Sequence, residues 1–158
     1  MYINFDDYPF EMILTYSFKE DMVNQEEYIS DVRALTLNPD KPLLGLKGNK
    51  GLYATPEWWE SIDNRNIPSI TFCGEIIRTY VAGMDNSNTD NSFSFLSQEN
   101  RILDESIYYI DKKHQQLFKK RHFVVIVYAF DEMKVSTPEN PDFSNIVLEM
   151  AVSKYPIP

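Results

Sequence analysis

The chain has 158 residues, the length of one ordinary domain, and a composition of 43% apolar and 14% aromatic residues argues against intrinsic disorder. Its longest apolar run, Phe123 to Phe130, falls well short of the roughly 20 residues that a membrane span needs. With 24 acids against 15 bases the formal net charge is −9, which argues against nucleic acid phosphates or anionic lipid as partners, since both are held by clustered Lys and Arg.

In chain order, Met12 to Phe18 is rich in strand formers and predicts a strand. Glu20 to Val32 predicts a helix, because Tyr28, Ile29 and Val32 recur at helical spacing. Pro39 and Pro42 force an extended link. Leu43 to Leu46 and Leu52 to Ala54 read as two short strands about the turn Gly48-Asn49-Lys50-Gly51. Thr55-Pro56-Glu57-Trp58-Trp59-Glu60 carries helix-start chemistry: a threonine cap, a proline at the first helical position and an acid near the positive helix end. Asn64 and Pro68 close that helix early. Ile70 to Gly83 is a long strand segment in which Gly74 suggests a bulge or bend. Asp85 to Ser92 is a polar loop. Phe93 to Leu96 and Ser106 to Ile110 follow as short strands, with Phe93 and Phe95 sharing a face. Lys112 to Lys120 reads as a helical turn or a hairpin connection. Phe123 to Phe130 is apolar on both faces and predicts the central strand. Ile146 to Val152 is the last strand, and residues 155–158 read as a loose tail. Strands outnumber helices without regular alternation, so the expected class is α+β: a mainly antiparallel, bent or barrel-like sheet with two short helices, in a single domain over 1–158.

A search for chemistry returns little. His114 and His122 show neither an HExxH pattern nor a cysteine partner, and a metal site needs three or four converging ligands. Cys73 stands alone in an apolar run and reads as a buried, inert thiol suited to a reducing compartment. The acid pairs Asp6/Asp7, Glu26/Glu27, Asp104/Glu105 and Asp131/Glu132 are what a chain with 24 acids contains by chance. The polar run from Asp85 to Asp90 lacks the glycine and the bidentate glutamate of a calcium loop. Gly45, Gly48 and Gly51 fit no phosphate-loop pattern and read as turn glycines. Lys112, Lys113, Lys119, Lys120 and Arg121 form the one basic patch, with Tyr108, Tyr109 and Phe118 near it. A stripe of this kind can bind single-stranded nucleic acid. In a chain this acidic it can equally pair with the acidic N-terminal region, within the chain or between copies. No cofactor and no metal are expected.

The charge is uneven. Residues 1–31 hold Asp6, Asp7, Glu11, Glu20, Asp21, Glu26, Glu27 and Asp31 against Lys19 alone. Two readings fit: a solvated face that aids solubility, and a docking surface for a basic protein. Trp58-Trp59 likewise reads either as core packing or as an aromatic anchor at a partner surface. The N-terminus, MYINFDD, has no basic and apolar leader pattern, which predicts a cytoplasmic chain.

One stretch carries a resemblance. It runs Gly51-Leu52-Tyr53, then Pro56-Glu57-Trp58-Trp59 and Ile62-Asp63-Asn64. Ile67-Pro68 follows, then Gly74-Glu75-Ile76, Tyr80 and Gly83-Met84-Asp85. This resembles immunity proteins of bacterial contact-dependent inhibition and related polymorphic toxin systems, over less than a quarter of the chain. The resemblance implies an antitoxin that works by binding a cognate toxin domain and covering its active site, which needs no catalytic group. An acidic inhibitor suits a toxin with a positive groove, a nuclease for example. On this reading Asp21, Glu26, Glu27, Asp85 and Asp90 are the contact carboxylates and Trp58 a lesser anchor, in a monomer or weak dimer. Two other readings stay open. One is a small-ligand binder or enzyme whose site is scattered along the chain. The other is a structural protein that self-associates through its sheet.

Overall fold

A computed structural model of the protein describes residues 1–83 and 89–158. Among them, six strands form an open antiparallel sheet: β1 (Met12–Ser17), β2 (Ser69–Tyr80), β3 (Ser92–Ser97), β4 (Ile102–Ser106), β5 (Phe123–Glu132) and β6 (Phe143–Ser153), in the order β1-β6-β5-β2-β3-β4. The helices are a single turn, α1 (Phe18–Asp21), then α2 (Glu26–Leu37) and α3 (Pro56–Asp63), with 3-10 turns at Phe5–Asp7, Met22–Asn24 and Lys112–Leu117. The class is α+β, as the sequence predicts.

Contacts gather the chain into two compact units. Unit 1 comprises Met1–Ser17, Thr71–Val127 and Leu148–Pro158; unit 2 comprises Phe18–Ile70 and Tyr128–Val147.

In unit 1 the core is aliphatic and phenylalanine-rich. Ile76, Phe93, Phe95, Val124, Val125, Ile126, Met150 and Val152 are all buried. β5 is buried on both faces, which is why its sequence is apolar without alternation. β3 is also buried on both faces: Phe93 stacks near Phe95 and Phe118, while Ser94 on the other side binds the Asp104 carboxylate and accepts from Arg78 Nε at 3.0 Å. The segment after β4 reaches β1, the other edge strand. Ile110 N donates to the Thr15 carbonyl at 2.9 Å, and the Tyr108 ring meets Tyr16 edge-on at 4.9 Å. A second clasp is Glu149, buried, whose carboxylate accepts from the backbone amides of Tyr2 and Ile3 at 2.8 to 3.0 Å. Near the C-terminus, Ile157 N donates to the Arg121 carbonyl at 2.7 Å.

In unit 2 the core is aromatic. Thr55 caps α3, its hydroxyl accepting from Trp58 N at 3.3 Å, with Pro56 at the helix start as predicted. That cap sets Trp58, Trp59 and Ile62 on the buried side, beside Phe18 and Tyr53.

Four local expectations differ from the structure. The predicted helix 20–32 is broken at Gln25 and resumes as α2 to Leu37, because the Asp21 carboxylate accepts from Asn24 Nδ2 (3.0 Å) and Gln25 Nε2 (2.5 Å) and holds a tight turn. The predicted strand at 43–46 reduces to a single bridge, Leu46 with Met133, and 52–54 is a turn, preceded by a bridge of Asn49 with Gly51. The strand predicted at 106–110 lies instead at Ile102–Ser106, a half-exposed edge whose polar alternation hides it. In β2, Gly74 stays in register opposite Ser97, and the irregularity falls between Ile76 and Arg78.

Gly74 is nonetheless required. A Cβ there would overlap the carbonyl of Leu96 on β3, a backbone atom that cannot swing aside. Gly74→Ala should therefore lower stability by about 1–3 kcal/mol, as overpacking does. Urea unfolding checks this: the midpoint should fall with the slope unchanged.

Candidate partner-binding site

The carboxylates singled out in the sequence separate between the units. Asp21, Glu26 and Glu27 lie in unit 2 and Asp90 in unit 1. Asp85 falls outside the described residues.

In unit 2, α2 carries the acids. Glu26 and Glu27 occupy its first turn, where the positive end of the helix dipole favours them. Both are exposed, as are Ser30 and Asp31. Asp21 is half-buried and engaged in the turn described above, so its oxygens are partly spent on its own chain. The helix is fixed at several points. Ile29 is buried, and Arg33 Nε donates to the Tyr53 carbonyl at 2.8 Å. At the far end Lys134 Nζ donates to the carbonyls of Leu35 (2.7 Å) and Lys41 (2.8 Å), a cation placed on the negative end of the helix. Residues 22–44 also expose large apolar side chains, notably Val23 at 74%, Tyr28 at 59%, Leu37 at 66% and Leu43 at 68%. Apolar exposure of this kind marks surfaces that bind other proteins. A groove of about 360 Å³ runs along this helix, lined by Met22, Val23, Glu26, Ile29, Ser30 and Arg33.

Trp58 does not serve as a surface anchor here, since it has no exposed area. Its Nε1–H donates to Asp131 Oδ2 at 2.9 Å, both groups buried. Burial pushes the Asp131 carboxyl above its ordinary value, and the Trp58 hydrogen bond partly offsets this. The other residues of the resemblance are equally structural. Gly51 takes φ +106°, and a Cβ there would stand 2.6 Å from Trp58 N, so only glycine lets this turn sit on the start of α3. Tyr53, Ile62, Ile67 and Ile76 are all buried.

In unit 1, Asp90 accepts from the Thr79 hydroxyl at 2.5 Å, and its carbonyl from Gln115 Nε2 at 3.2 Å. It lines a shallow groove of about 490 Å³ with Thr79, Lys112, Lys113, Gln115 and Phe118. Lys113 lies 3.5 Å from the Asp111 carboxylate, its own neighbour in sequence. Cys73 is buried, and burial raises its thiol pKa, the opposite of what a nucleophile needs. His122 Nδ1 lies 2.8 Å from the Ser153 carbonyl, which only accepts, so Nδ1 carries the ring proton and the histidine is a core hydrogen-bond donor. Among the described residues, no three His, Cys, Asp or Glu side chains cluster as metal ligands would, and no helix is long and apolar enough to cross a membrane.

α2 thus presents a fixed, acidic, partly apolar surface. The comparison with known families gives the chain its class: it is an immunity protein. Residues 12–153 match the family described as Immunity protein RhsI2, and the chain belongs to that family. The match extends the resemblance seen at 51–85 to nearly the whole chain, and it implies a toxin as cognate partner. No curated protein matches the chain.

Two predictions test how unit 2 is held. Because the folded-state pKa of Asp131 is raised, its stabilising contribution is complete below the ordinary value of 3.8 and is lost as pH rises through the folded pKa. Asp131→Asn keeps an acceptor for Trp58 but no charge. Denaturant titrations should show the wild type losing stability relative to Asp131→Asn as pH climbs toward neutrality, whereas Asp131→Leu should cost about 1–3 kcal/mol by stranding the indole N–H. Lys134→Met should cost about 1–2 kcal/mol and speed amide hydrogen exchange in the last turn of α2.

Proposed function

We propose that the chain neutralises its toxin by binding alone, laying the acidic surface of α2 over a basic active site or substrate channel. The observation that carries this is the placement of Glu26, Glu27 and Asp31, exposed on a helix whose one basic residue, Arg33, is half-buried and turned to its own chain. Arg33 holds a backbone carbonyl, and Lys19 Nζ sits 4.8 Å from the centre of the Trp59 ring. Three exposed carboxylates against one half-buried guanidinium leave the solvent face of α2 net negative. Family membership supplies the toxin, and the charge supplies its chemistry: a domain with a positive groove, of which a nuclease is one kind. Protection then requires no catalytic group, and one copy per toxin suffices. The compartment is the cytoplasm.

Charge of this sort acts mainly on encounter. Opposed potentials raise association rates by orders of magnitude at low salt, and added salt screens them. The test uses the purified C-terminal domain of the toxin encoded beside this chain, with binding followed by stopped flow. The double variant Glu26→Lys, Glu27→Lys should associate at least tenfold more slowly at low salt, with the difference shrinking as salt rises. An unchanged rate at every salt concentration would return the acids to the role of solubility.

A further inference from the structure

The same helix offers more than charge. Glu26, Ile29, Ser30 and Arg33 stand at i, i+3, i+4 and i+7, one stripe of α2, and Met22 and Val23 extend that stripe into the preceding turn. Together they enclose the groove of about 360 Å³. Its floor is Ile29, buried, and one wall is Val23, which is 74% exposed and therefore leans on little of its own chain. Ser30 is the smallest side chain of the stripe, and the hollow exists because nothing larger stands there. Two charged groups line it, Glu26 and Arg33, the latter with its Nε held by the Tyr53 carbonyl, and Glu27 and Asp31 are exposed on the same helix, so the charge around the groove is net negative.

We infer that this groove is the anchor pocket for the toxin: it takes one large apolar side chain of the toxin, flanked there by lysine or arginine. The inference rests on the toxin-binding reading above and adds where the complex is held. The argument is charge complementarity around an apolar hollow. A bare aliphatic segment would gain nothing from the carboxylates, and a purely basic one would leave Val23 facing water. A basic segment with one apolar anchor satisfies both, with the anchor desolvated at the centre and the ion pairs on the rim. Apolar floor and net negative rim then control different rates. The rim governs association, and the filled groove governs dissociation.

The experiment separates the two. Ser30→Trp fills the groove from an exposed position, and Val23→Asp puts a like charge on its wall; both sites are solvent-facing, and circular dichroism and thermal melting check that the variants fold. With the toxin domain encoded beside this chain as the probe, each should raise the dissociation rate at least tenfold while association at low salt stays within about threefold. Glu27→Lys should do the reverse, and Lys112→Glu, in unit 1, should change neither rate. If Ser30→Trp and Val23→Asp dissociate at the wild-type rate while Glu26→Lys, Glu27→Lys still slows association, the acids dock the toxin and the pocket idea is overturned alone. If the toxin binds and no variant of α2 matters, both readings fall. Failure of the unaltered chain to bind the domain also overturns both. Light scattering supplies the last arm: a dimer of the free chain that Ser30→Trp abolishes would make the occupant a second copy and overturn the toxin as its ligand.

Discussion

A carboxylate taken out of water loses several kcal/mol of solvation unless hydrogen bonds replace it, and unit 2 is built around one that does so. Asp131 is buried against Trp58, and the indole N–H that it accepts comes from a side chain with no exposed area. The interaction fixes two things at once. It orients the largest ring of the core, and it ties α3 to the end of β5, 73 residues away in the chain. Around that ring stand Phe18, Tyr53 and Trp59, all within 6.0 Å centre to centre and mostly edge-on, the arrangement that aromatic quadrupoles prefer. Removing the acceptor would leave a donor with nowhere to turn, which is why a polar pair can persist inside an apolar cluster.

The aromatic cluster matters for function because α2 is hung from it. The Tyr53 carbonyl receives Arg33, and the Tyr53 ring meets Tyr28 at right angles, so the residue that packs beneath Trp58 also pins the acidic helix at two heights. Lys134 pins its end through three carbonyls. A helix held in this way loses little further freedom when a partner arrives, so less of the interaction energy is consumed in ordering it. Packing thus reaches from the core to the helix: buried rings position a backbone carbonyl, that carbonyl positions an arginine, and the carboxylates of α2 stay exposed.

Much of this was legible in the sequence, and the failures have physical causes. The apolar run Phe123 to Phe130 announces β5, because a strand covered on both faces has no alternation to lose, and strand-forming residues announce β2 and β6. Thr55-Pro56 announced the start of α3, because capping is local chemistry. The motif from Gly51 to Tyr80 is structural: Gly51 lies against the start of α3, and Tyr53, Trp58 and Ile76 are core. What stayed hidden depends on distant residues. The pairing of Trp58 with Asp131 cannot be seen from either neighbourhood, so the buried member of the Asp131/Glu132 pair looked like any surface acid. β4 escaped notice because a half-exposed edge strand carries polar residues that read as loop. The turn that Asp21 holds through Asn24 and Gln25 is equally hidden, since its charge alone does not reveal those bonds.

The position of the acids bears on the choice between solubility and docking. For solubility, only net charge counts, and carboxylates scattered over the surface would serve as well while repelling one another less. Clustering them costs stability through that repulsion. Here the cost is reduced where it would be greatest, since Glu26 and Glu27 sit on the positive end of α2, and the opposite end is neutralised by Lys134 instead of being left to oppose them. A fold that stabilises a concentration of negative charge at one place, and sets an apolar hollow beside it, has arranged both terms that a protein partner needs: long-range attraction to bring it in, and desolvated contact to keep it there.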